Sequence, residues 1–355
     1  MTDYKKELKD LILAVIKEGA SDLHLSVGLH PIIRVNGVLM SLVGQPILSP
    51  QDTEGLARAL LSDINQERLK TDKEVDFSYQ FEDKARFRGN VFYQKGFLSC
   101  SLRLIPPIVK PLKDLNLPVS ALEYFASKKQ GFFLVVGPIG HGKSTTLASM
   151  IDFINHTRAE NILTIEDPIE YLFVQDKSII NQREVYFDTA SFQRALRSMF
   201  REDVNVAMIG EMRDPETIST AITAAETGHL ILSSLHTNSA AQTINRIIDS
   251  FPATQQNQIR TQLSSTLLGI FSQRLVPRIS GGRIPAYELL INNNAVANLI
   301  RETRIHEIDT VIETSLEQGM VSLNRSLLDL VKKGEITIET AINYSLNPRE
   351  LQRAL

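Results

Sequence analysis

The stretch Gly131–Met150, GFFLVVGPIGHGKSTTLASM, limits what this chain can fold into more than any other part of the sequence. Its five apolar residues Phe132–Val136 predict a short buried strand, and Thr145–Met150 have the composition of a helix. Between them lies the pattern G-x-x-x-x-G-K-[ST], in which glycines let consecutive backbone N–H groups turn inward around phosphates. The stretch therefore predicts a strand, a phosphate-binding loop and a helix that bind a nucleoside triphosphate.

The residue types of this loop match the chemistry of phosphate binding. Lys143 is expected to reach the β- and γ-phosphates, and Ser144 to offer its hydroxyl to Mg²⁺. The N-terminus of the following helix adds partial positive charge. We therefore predict that the nucleotide is bound by the nine residues Gly137, Pro138, Ile139, Gly140, His141, Gly142, Lys143, Ser144 and Thr145.

Composition is that of an ordinary globular protein. The 355 residues are 43% hydrophobic and 22% charged, with a formal net charge of −3, so we expect two domains and no nucleic-acid partner. The single cysteine, Cys100, excludes intrachain disulfides and multi-cysteine zinc sites. The charged N-terminus does not resemble a signal peptide, and no apolar run approaches the roughly 20 residues that span a bilayer. These features predict a cytoplasmic protein without a transmembrane segment.

The first hundred residues predict an α+β module. Residues 4–18 place apolar side chains on one helical face. The segment PIIRVNGVLM at 31–40 predicts a hairpin that turns at Asn36 and Gly37. Three antiparallel strands are predicted further along, at Phe77–Phe81, Ala85–Gln94 and Phe97–Leu104.

A proline-rich segment separates this module from a different pattern. Residues 105–118, IPPIVKPLKDLNLP, contain four prolines, which predicts an extended interdomain linker. The N-terminal domain would then be 1–104, and a second domain would be 119–355. In the second domain strands and helices alternate, which predicts an α/β fold with a parallel sheet and ligands at the carboxyl ends of its strands. These strands are predicted at 132–136, 161–165, 179–182, 205–209 and 229–235, and the chain from about 255 is predicted to be mostly helical.

Two apolar strands are predicted to end in carboxylates. The segment NILTIEDPIEY delivers Glu166, Asp167 and Glu170 just past its strand, where carboxylates can activate water or bind Mg²⁺. The segment VAMIGEMRD ends in Glu211, which fits a Walker B glutamate that holds Mg²⁺ directly or through water. Ordinary solvated acids are the alternative for both groups, and the pattern leaves open which carboxylate of the first group points inward.

Histidines and arginines complete the candidate site. His229 and His236 flank the strand predicted beside the nucleotide, where they could sense the γ-phosphate; a purely structural role is the alternative. Two histidines seven apart, with no cysteine nearby, are poor metal ligands. Some arginines could reach a neighbouring subunit's nucleotide as an arginine finger, with a solvated strand face as the alternative. These arginines are Arg86, Arg88 and Arg103, with Arg246, Arg197 and Arg201 as weaker candidates.

With these residues placed, the chain resembles the type IV pilus retraction motors, the PilT-type twitching-motility ATPases of the secretion-ATPase superfamily. The matching stretches occur in family order over nearly the whole chain. They are GASDLHL (19–25), RFRGNVF (86–92), GPIGHGKSTT (137–146), ILTIEDPIEY (162–171), NQREV (181–185), IGEMRD (209–214), AAETGHLILSSLHTNSA (224–240) and NLIRE (298–302).

The resemblance implies a PAS-like N-terminal domain and a RecA-like ATPase domain with C-terminal helices. It implies six copies in a ring, ATP and Mg²⁺ as cofactors, and hydrolysis that turns an inner-membrane platform protein and disassembles the pilus. The protein would then work in the cytoplasm at the inner membrane, with a second retraction ATPase as a further candidate partner. In that family the position of Glu170 carries the water-activating carboxylate, that of Glu211 the Walker B glutamate, and those of His229 and His236 the histidine box.

The sequence departs from the family pattern at four positions. Ile139 and His141 replace threonine and serine, Asn205 replaces an acid near the Walker B strand, and Ala297 replaces arginine in the retraction motif. Three alternatives therefore stay open. They are a pilus-extension or type II secretion ATPase, an accessory ring subunit that hydrolyses ATP weakly, and a nucleic-acid translocase, which the mild negative charge disfavours.

Overall fold

The computed structural model describes residues 3–35, 37–105 and 108–355, and they divide into two units. The first unit contains the chain up to Ile108 together with Asp167–Leu172, and the second contains Val109–Glu166 and Phe173–Leu355. The short segment Asp167–Leu172, which carries Glu170, therefore groups with the N-terminal part of the chain although it directly follows a strand of the second unit.

Among its described residues, the first unit has three helices and a six-stranded antiparallel sheet in the order β3-β2-β1-β6-β5-β4. Its elements are α1 (Tyr4–Lys17), β1 (Asp22–Leu25), β2 (Ile32–Val35), β3 (Val38–Ser41), α2 (Pro50–Leu60), α3 (Asp63–Asp72), β4 (Glu74–Phe81), β5 (Ala85–Gln94) and β6 (Phe97–Ile105). The predicted helix, hairpin strands and three antiparallel strands are all confirmed. The hairpin turn contains Gly37 at φ 85°, as an Asn-Gly turn requires, while Asn36 lies outside the described residues.

Strand alternation gives the first sheet one apolar and one polar face. Phe77, Phe87 and Leu102 are buried on the face that packs against the helices. Arg88 and Arg103, which are cross-strand partners on β5 and β6, lie on the opposite face. Because successive side chains of a strand point to opposite faces, the apolar pattern alone determines this division.

The second unit is built on a seven-stranded sheet in the order β13-β12-β7-β11-β10-β8-β9. Only the β12–β13 pair is antiparallel. The strands are β7 (Gly131–Val136), β8 (Asn161–Glu166), β9 (Ile179–Glu184), β10 (Val206–Ile209), β11 (Leu230–Leu235), β12 (Leu267–Pro277) and β13 (Arg283–Ile291). The helices are α4 (Val119–Ala126), α5 (Lys143–Thr157), α6 (Phe192–Met199), α7 (Pro215–Glu226), α8 (Ala240–Asp249), α9 (Ala253–Thr266), α10 (Asn294–Arg301), α11 (Ile308–Thr314), α12 (Leu323–Lys332), α13 (Ile338–Tyr344) and α14 (Pro348–Ala354).

Helices cover both faces of this sheet, so β7, one of its interior strands, is entirely apolar. All six residues of β7 are buried. Phe132 and Val136 pack in the layer that contains Ile222 of α7, whereas Phe133 packs in the layer that contains Met150 of α5. A parallel strand buried on both faces loses its alternation, and this explains the continuous apolar run that predicts β7.

The five predicted parallel strands are confirmed, but the prediction of a mostly helical chain after residue 255 is wrong over 267–291. This part forms the long β12–β13 hairpin, and β12 pairs with the far side of β7. A buried apolar run does not distinguish a strand from a helix by its period. The Gly281-Gly282 pair, at φ 88° and 74°, is the turn signal that the helical interpretation missed.

The prediction of an extended linker over 105–118 is also wrong for the second half of that segment. Leu112–Leu115 is a 3₁₀ helix, and Leu112 and Leu117 are buried in the core of the second unit. The hydroxyl of Ser149 on α5 donates to the carbonyl oxygen of Lys110 at 2.6 Å. Apolar side chains between the prolines thus attach this segment to the core, and residues 106–107 lie outside the described residues.

Candidate functional site

The phosphate loop and three of the predicted functional side chains, Glu166, Glu211 and His236, lie at one edge of the second sheet. β7, β11, β10 and β8 are neighbouring parallel strands, so their carboxyl ends meet at the same edge. The phosphate loop follows β7, His236 follows β11, and Glu211 follows β10. In open α/β sheets, ligands bind in a crevice outside the carboxyl ends of the strands, at the point where the strand order reverses.

The glycines of the loop have the backbone geometry that the motif requires. Gly137, Gly140 and Gly142 have φ values of 144°, 76° and 86°, which side chains other than glycine rarely adopt. At Gly137 space is limiting as well, because a Cβ there would collide with the carbonyl oxygen of Gln273 on β12. Glycine is therefore the residue that these backbone positions accommodate most readily.

Lys143 is held inside the loop rather than extended into solvent. Its side chain is buried, and Nζ donates to the carbonyl oxygens of Gly137 and Pro138, each at 2.9 Å. Nζ also lies 3.0 Å from Nδ1 of His236. The ammonium group is therefore positioned between the loop and the end of β11.

His236 connects the phosphate loop to the acid at the end of β10. Its Nε2 lies 3.4 Å from Oε1 of Glu211, whose other oxygen accepts from Arg213 at 2.8 Å. Burial, and next the charge of Lys143, lower the pKa of the imidazole. The neutral ring therefore accepts from lysine at Nδ1 and directs its Nε2–H toward Glu211.

Glu166 is a buried acid at the carboxyl end of β8. Only 7% of the residue is exposed, and the hydroxyl of Thr164 donates to Oε1 at 2.7 Å. On the neighbouring strands, the hydroxyl of Ser234 donates to the carbonyl oxygen of Gly210 at 2.6 Å. The bond between Ser234 and Gly210 links the chain at the ends of β11 and β10, just before His236 and Glu211.

Glu170 is paired with an arginine of the first unit. Oε1 of Glu170 accepts from Nη1 of Arg88 at 3.0 Å, and Nε of Arg86 donates to the carbonyl oxygen of Ile169 at 3.2 Å. Both arginines of the RFRGNVF stretch thus bind the segment Asp167–Leu172. The pattern had predicted these arginines and this acid separately, without their contact.

The other predicted arginines have different surroundings. Arg103 donates from Nε to Asp22 at 2.9 Å, and Asp22 also lies 3.6 Å from Nε of Arg34. Arg246 is exposed on α8, about 9 Å along the helix from its first residue at 1.5 Å per residue. Arg103 therefore lies in an ion-paired cluster within the first sheet.

Of the two histidines that flank β11, His236 adjoins the phosphate loop and His229 does not. His229 precedes β11, whereas the loop lies beyond the other end, about 20 Å away for a six-residue strand at ~3.3 Å per residue. Nδ1 of His229 donates to the carbonyl oxygen of Ala224 at 3.0 Å, and its ring packs edge-on against Phe200. Within its own chain, His229 caps the C-terminal turn of α7.

Three of the four departures from the family pattern lie in the phosphate loop or just before β10. Ile139 is 82% exposed, and His141 turns toward β12, so neither side chain fills the inside of the loop. Asn205 precedes β10, at the end of the strand opposite Glu211, and its Oδ1 accepts from the backbone N–H of Asn161 at 2.8 Å. The substitution at 205 therefore removes no acid from the nucleotide edge.

Sequence reasoning missed the residues of β12 and β13 that contact the loop. Oε1 of Gln273 accepts from the Thr146 hydroxyl at 2.7 Å, and Nη1 of Arg283 donates to the carbonyl oxygen of Gly140 at 3.3 Å. Recognising the hairpin from its Gly-Gly turn would have placed these residues beside the loop.

The described residues can supply only part of a magnesium site. Among them, no group of three or more histidine, cysteine, aspartate or glutamate residues could hold a metal ion. Ser144 is exposed on the first turn of α5, and Glu211 is partly exposed. A hydroxyl and a carboxylate are hard oxygen donors, and Mg²⁺ commonly takes one or two protein ligands besides phosphate oxygens and water. These donors therefore fit Mg²⁺ that arrives with a nucleotide.

Comparisons with known proteins identify the family of this chain. A family model described as type II/IV secretion system protein matches residues 3–282. The type IV pilus retractation ATPase PilT of Pseudomonas aeruginosa is 42% identical over 335 residues, which are 94% of this chain and 97% of that protein. The type IV pilus ATPase PilU of the same organism is 38% identical over 347 residues, or 98% and 90% of the two chains.

A solved structure extends the similarity to the fold. The crystal structure of the pilus retraction motor PilT with bound ADP matches with a TM-score of 0.89 and 49% identity. The match covers 97% of this chain and 98% of that one. The chain belongs to the type II/IV secretion system protein family.

Proposed function

We propose that this protein is a hexameric, Mg²⁺-dependent ATPase that powers retraction of type IV pili. The observation that carries the proposal is the complete phosphate loop, with buried Lys143 contacting His236 and, through it, Glu211, in a chain 42% identical to a pilus retractation ATPase. The similarity to a PilT structure that holds ADP supports nucleotide binding at this edge. Hydrolysis would drive motion of the ring against the pilus machinery.

In this proposal each functional side chain has one role. Lys143 and the loop N–H groups bind the phosphates, and Ser144 and Glu211 hold Mg²⁺, which neutralises phosphate charge. Glu170 activates the attacking water, and His236 senses the γ-phosphate. Glu166, a buried acid, is a further candidate. One of four arginines would act as the arginine finger: Arg86, Arg88, Arg103 or Arg246.

The partners and location follow from the same proposal. We expect PAS-like and RecA-like domains, six copies in a ring, and an inner-membrane platform protein as the mechanical load. The protein would act in the cytoplasm at the membrane surface, with a second retraction ATPase as a candidate partner. Over the described part of the chain, every helix is too short or too polar to cross a bilayer.

The decisive test is genetic. A deletion strain complemented with wild-type or Lys143→Ala protein would be scored for surface pili, twitching and sensitivity to pilus-dependent phage. Piliated, immotile and phage-resistant cells, rescued only by the wild type, are expected. Loss of pili in the deletion would support a pilus-extension ATPase instead, and normal motility would support an accessory role.

A weakly hydrolysing ring subunit is the second candidate function, and Ala297 on α10 is the observation that favours it. The family arginine is absent there, and the alanine is only partly buried. Single-turnover hydrolysis by the purified protein separates the two functions. A rate no faster than that of Lys143→Ala would support the accessory subunit, whereas a clear excess over that variant would support a motor.

A further inference from the structure

Strand β12 extends beyond the strand with which it pairs. β12 and β7 are in register as far as Ser272 and Val136, where β7 ends and the phosphate loop begins. β12 continues to Pro277. The backbone groups that β12 presents to this side beyond Ser272 therefore have no strand as a partner, and backbone donors of this kind are rarely left unsatisfied.

His141 supplies the missing acceptor. The backbone N–H of Leu275 donates to Nδ1 of His141, with 2.9 Å between the two nitrogens. This contact joins residues 134 positions apart in the chain. A side chain from the phosphate loop thus continues the hydrogen bonding of the sheet past the end of β7.

The surroundings of His141 favour the form of the ring that can accept. Burial lowers the pKa of the imidazole, and the charges of Arg274 on β12 and Arg283 on β13 lower it further. The ammonium group of Lys143 acts in the same direction. A neutral ring with its proton on Nε2 keeps the Nδ1 lone pair for Leu275.

Two further hydrogen bonds join the β12–β13 hairpin to residues that precede and follow His141 in the chain. Arg283 donates to the carbonyl oxygen of Gly140, and Gln273 accepts from Thr146 at the first turn of α5. Of the three hydrogen bonds, the one between Arg283 and Gly140 is the longest, at 3.3 Å, and it is exposed to solvent. His141 therefore provides the short attachment between the middle of the loop and β12.

We propose that His141 is a positioning residue that fastens the phosphate loop to β12 and so holds its N–H groups ready for the nucleotide phosphates. The inference rests on the proposed nucleotide-binding function of the loop. A loop already in its bound shape loses less conformational entropy on binding. The expected consequence is tighter nucleotide binding than the same loop would have without the attachment.

Substitutions that keep or remove an acceptor at the position of Nδ1 distinguish the effect of the hydrogen bond from the effect of the imidazole ring. Nδ1 lies two bonds from Cβ, as does Oδ1 of asparagine, whereas the oxygen of serine lies one bond away and that of glutamine three. His141→Asn should keep an acceptor for Leu275, and His141→Ala, His141→Ser and His141→Gln should lose it. His156→Ala is the control, because that histidine is exposed on α5 and its polar partner, Asp152, lies on the same helix.

The first experiment is a titration of each purified full-length variant with ADP and Mg²⁺. One lost hydrogen bond predicts a Kd about three- to tenfold higher for His141→Ala, His141→Ser and His141→Gln. His141→Asn should recover most of that loss, and His156→Ala should match the wild type. Equal affinities for all variants, or an asparagine variant as weak as alanine, would overturn the proposal.

The second measurement is amide hydrogen exchange without nucleotide, and it does not depend on the proposed function. The Leu275 amide should exchange about tenfold faster in His141→Ala than in the wild type and recover in His141→Asn, with the remote amide of Leu230 unchanged. Unaltered exchange at Leu275 would refute the attachment. Wild-type protein that binds no ADP, together with the expected exchange pattern, would refute the proposed function and leave the attachment standing.

Discussion

The ammonium nitrogen of Lys143 lies 3.0 Å from Nδ1 of His236, whose other ring nitrogen lies 3.4 Å from Glu211. One imidazole therefore contacts both the phosphate-loop lysine and the acid at the end of β10. These three residues come from three separate segments of the chain. Any change at His236 should alter the positions of the other two groups.

His236→Ala is expected to reduce ATP turnover about 10- to 100-fold, the loss typical when a group that orients functional side chains is removed. ADP affinity should change much less, because the loop N–H groups remain. Steady-state hydrolysis and ADP titration measure the two effects. His229→Ala serves as the comparison, since its ring caps α7 at the other end of β11; an equal loss there would contradict this assignment.

Glu170→Gln should bind ATP and fail to turn it over. The glutamine cannot take a proton from water, so we expect turnover to fall about 10²- to 10³-fold, within the range for a general base. ATP retained after rapid desalting measures the trapped state. Glu166→Gln is the matched variant, and wild-type turnover in Glu170→Gln would move the role to Glu166 or Glu211.

Arg88→Ala should reduce hydrolysis only in the assembled protein. The proposed arginine finger acts on a neighbouring subunit, so mixing Arg88→Ala with Lys143→Ala protein should restore part of the activity that neither has alone. The recovery is measured as the ATPase activity of the mixture at a series of mixing ratios. A mixture as inactive as its components would instead indicate that Arg88 acts by holding Glu170 of its own chain.

Glu288→Gln should stabilise the protein above neutral pH. Burial raises the pKa of Glu288 to about 7, and Oε1 accepts from the backbone N–H of Ala240 at 2.7 Å. The folded protein thus keeps a proton that the unfolded chain releases near pH 4.5. The free energy of unfolding therefore falls as the pH rises from 4.5 to about 7. The total loss is about 3 kcal/mol, at 1.36 kcal/mol per pKa unit.

Urea unfolding at pH 5 and pH 8, at one protein concentration, checks this prediction. The glutamine variant should be about 2–3 kcal/mol more stable than the wild type at pH 8 and only about 1 kcal/mol more stable at pH 5, because glutamine keeps an acceptor for Ala240 and carries no charge. Glu339→Gln, on the exposed start of α13, controls for the loss of a surface charge. A difference that is the same at both pH values would contradict a buried carboxyl group that titrates near 7.

Local patterns predicted much of the fold and the centre of the site. The apolar run Phe132–Val136, the loop glycines and the alternating strands of the first sheet are each formed by neighbouring residues. Their backbone geometry depends on side-chain period and on glycine's access to positive φ, both of which can be read directly from the sequence. The order of strands around β7 also explains why Glu211 and His236 lie near the loop.

Local sequence patterns thus predict the phosphate loop with its strand and helix, and they single out the acids and His236 as candidates. Packing between distant segments places β12 beside β7, pairs Arg88 with Glu170, and leaves His229 at the far end of β11. Contacts such as His141 to Leu275 join positions 134 residues apart. No period or motif encodes them, because they arise when separately predictable elements pack and the remaining buried donors find acceptors.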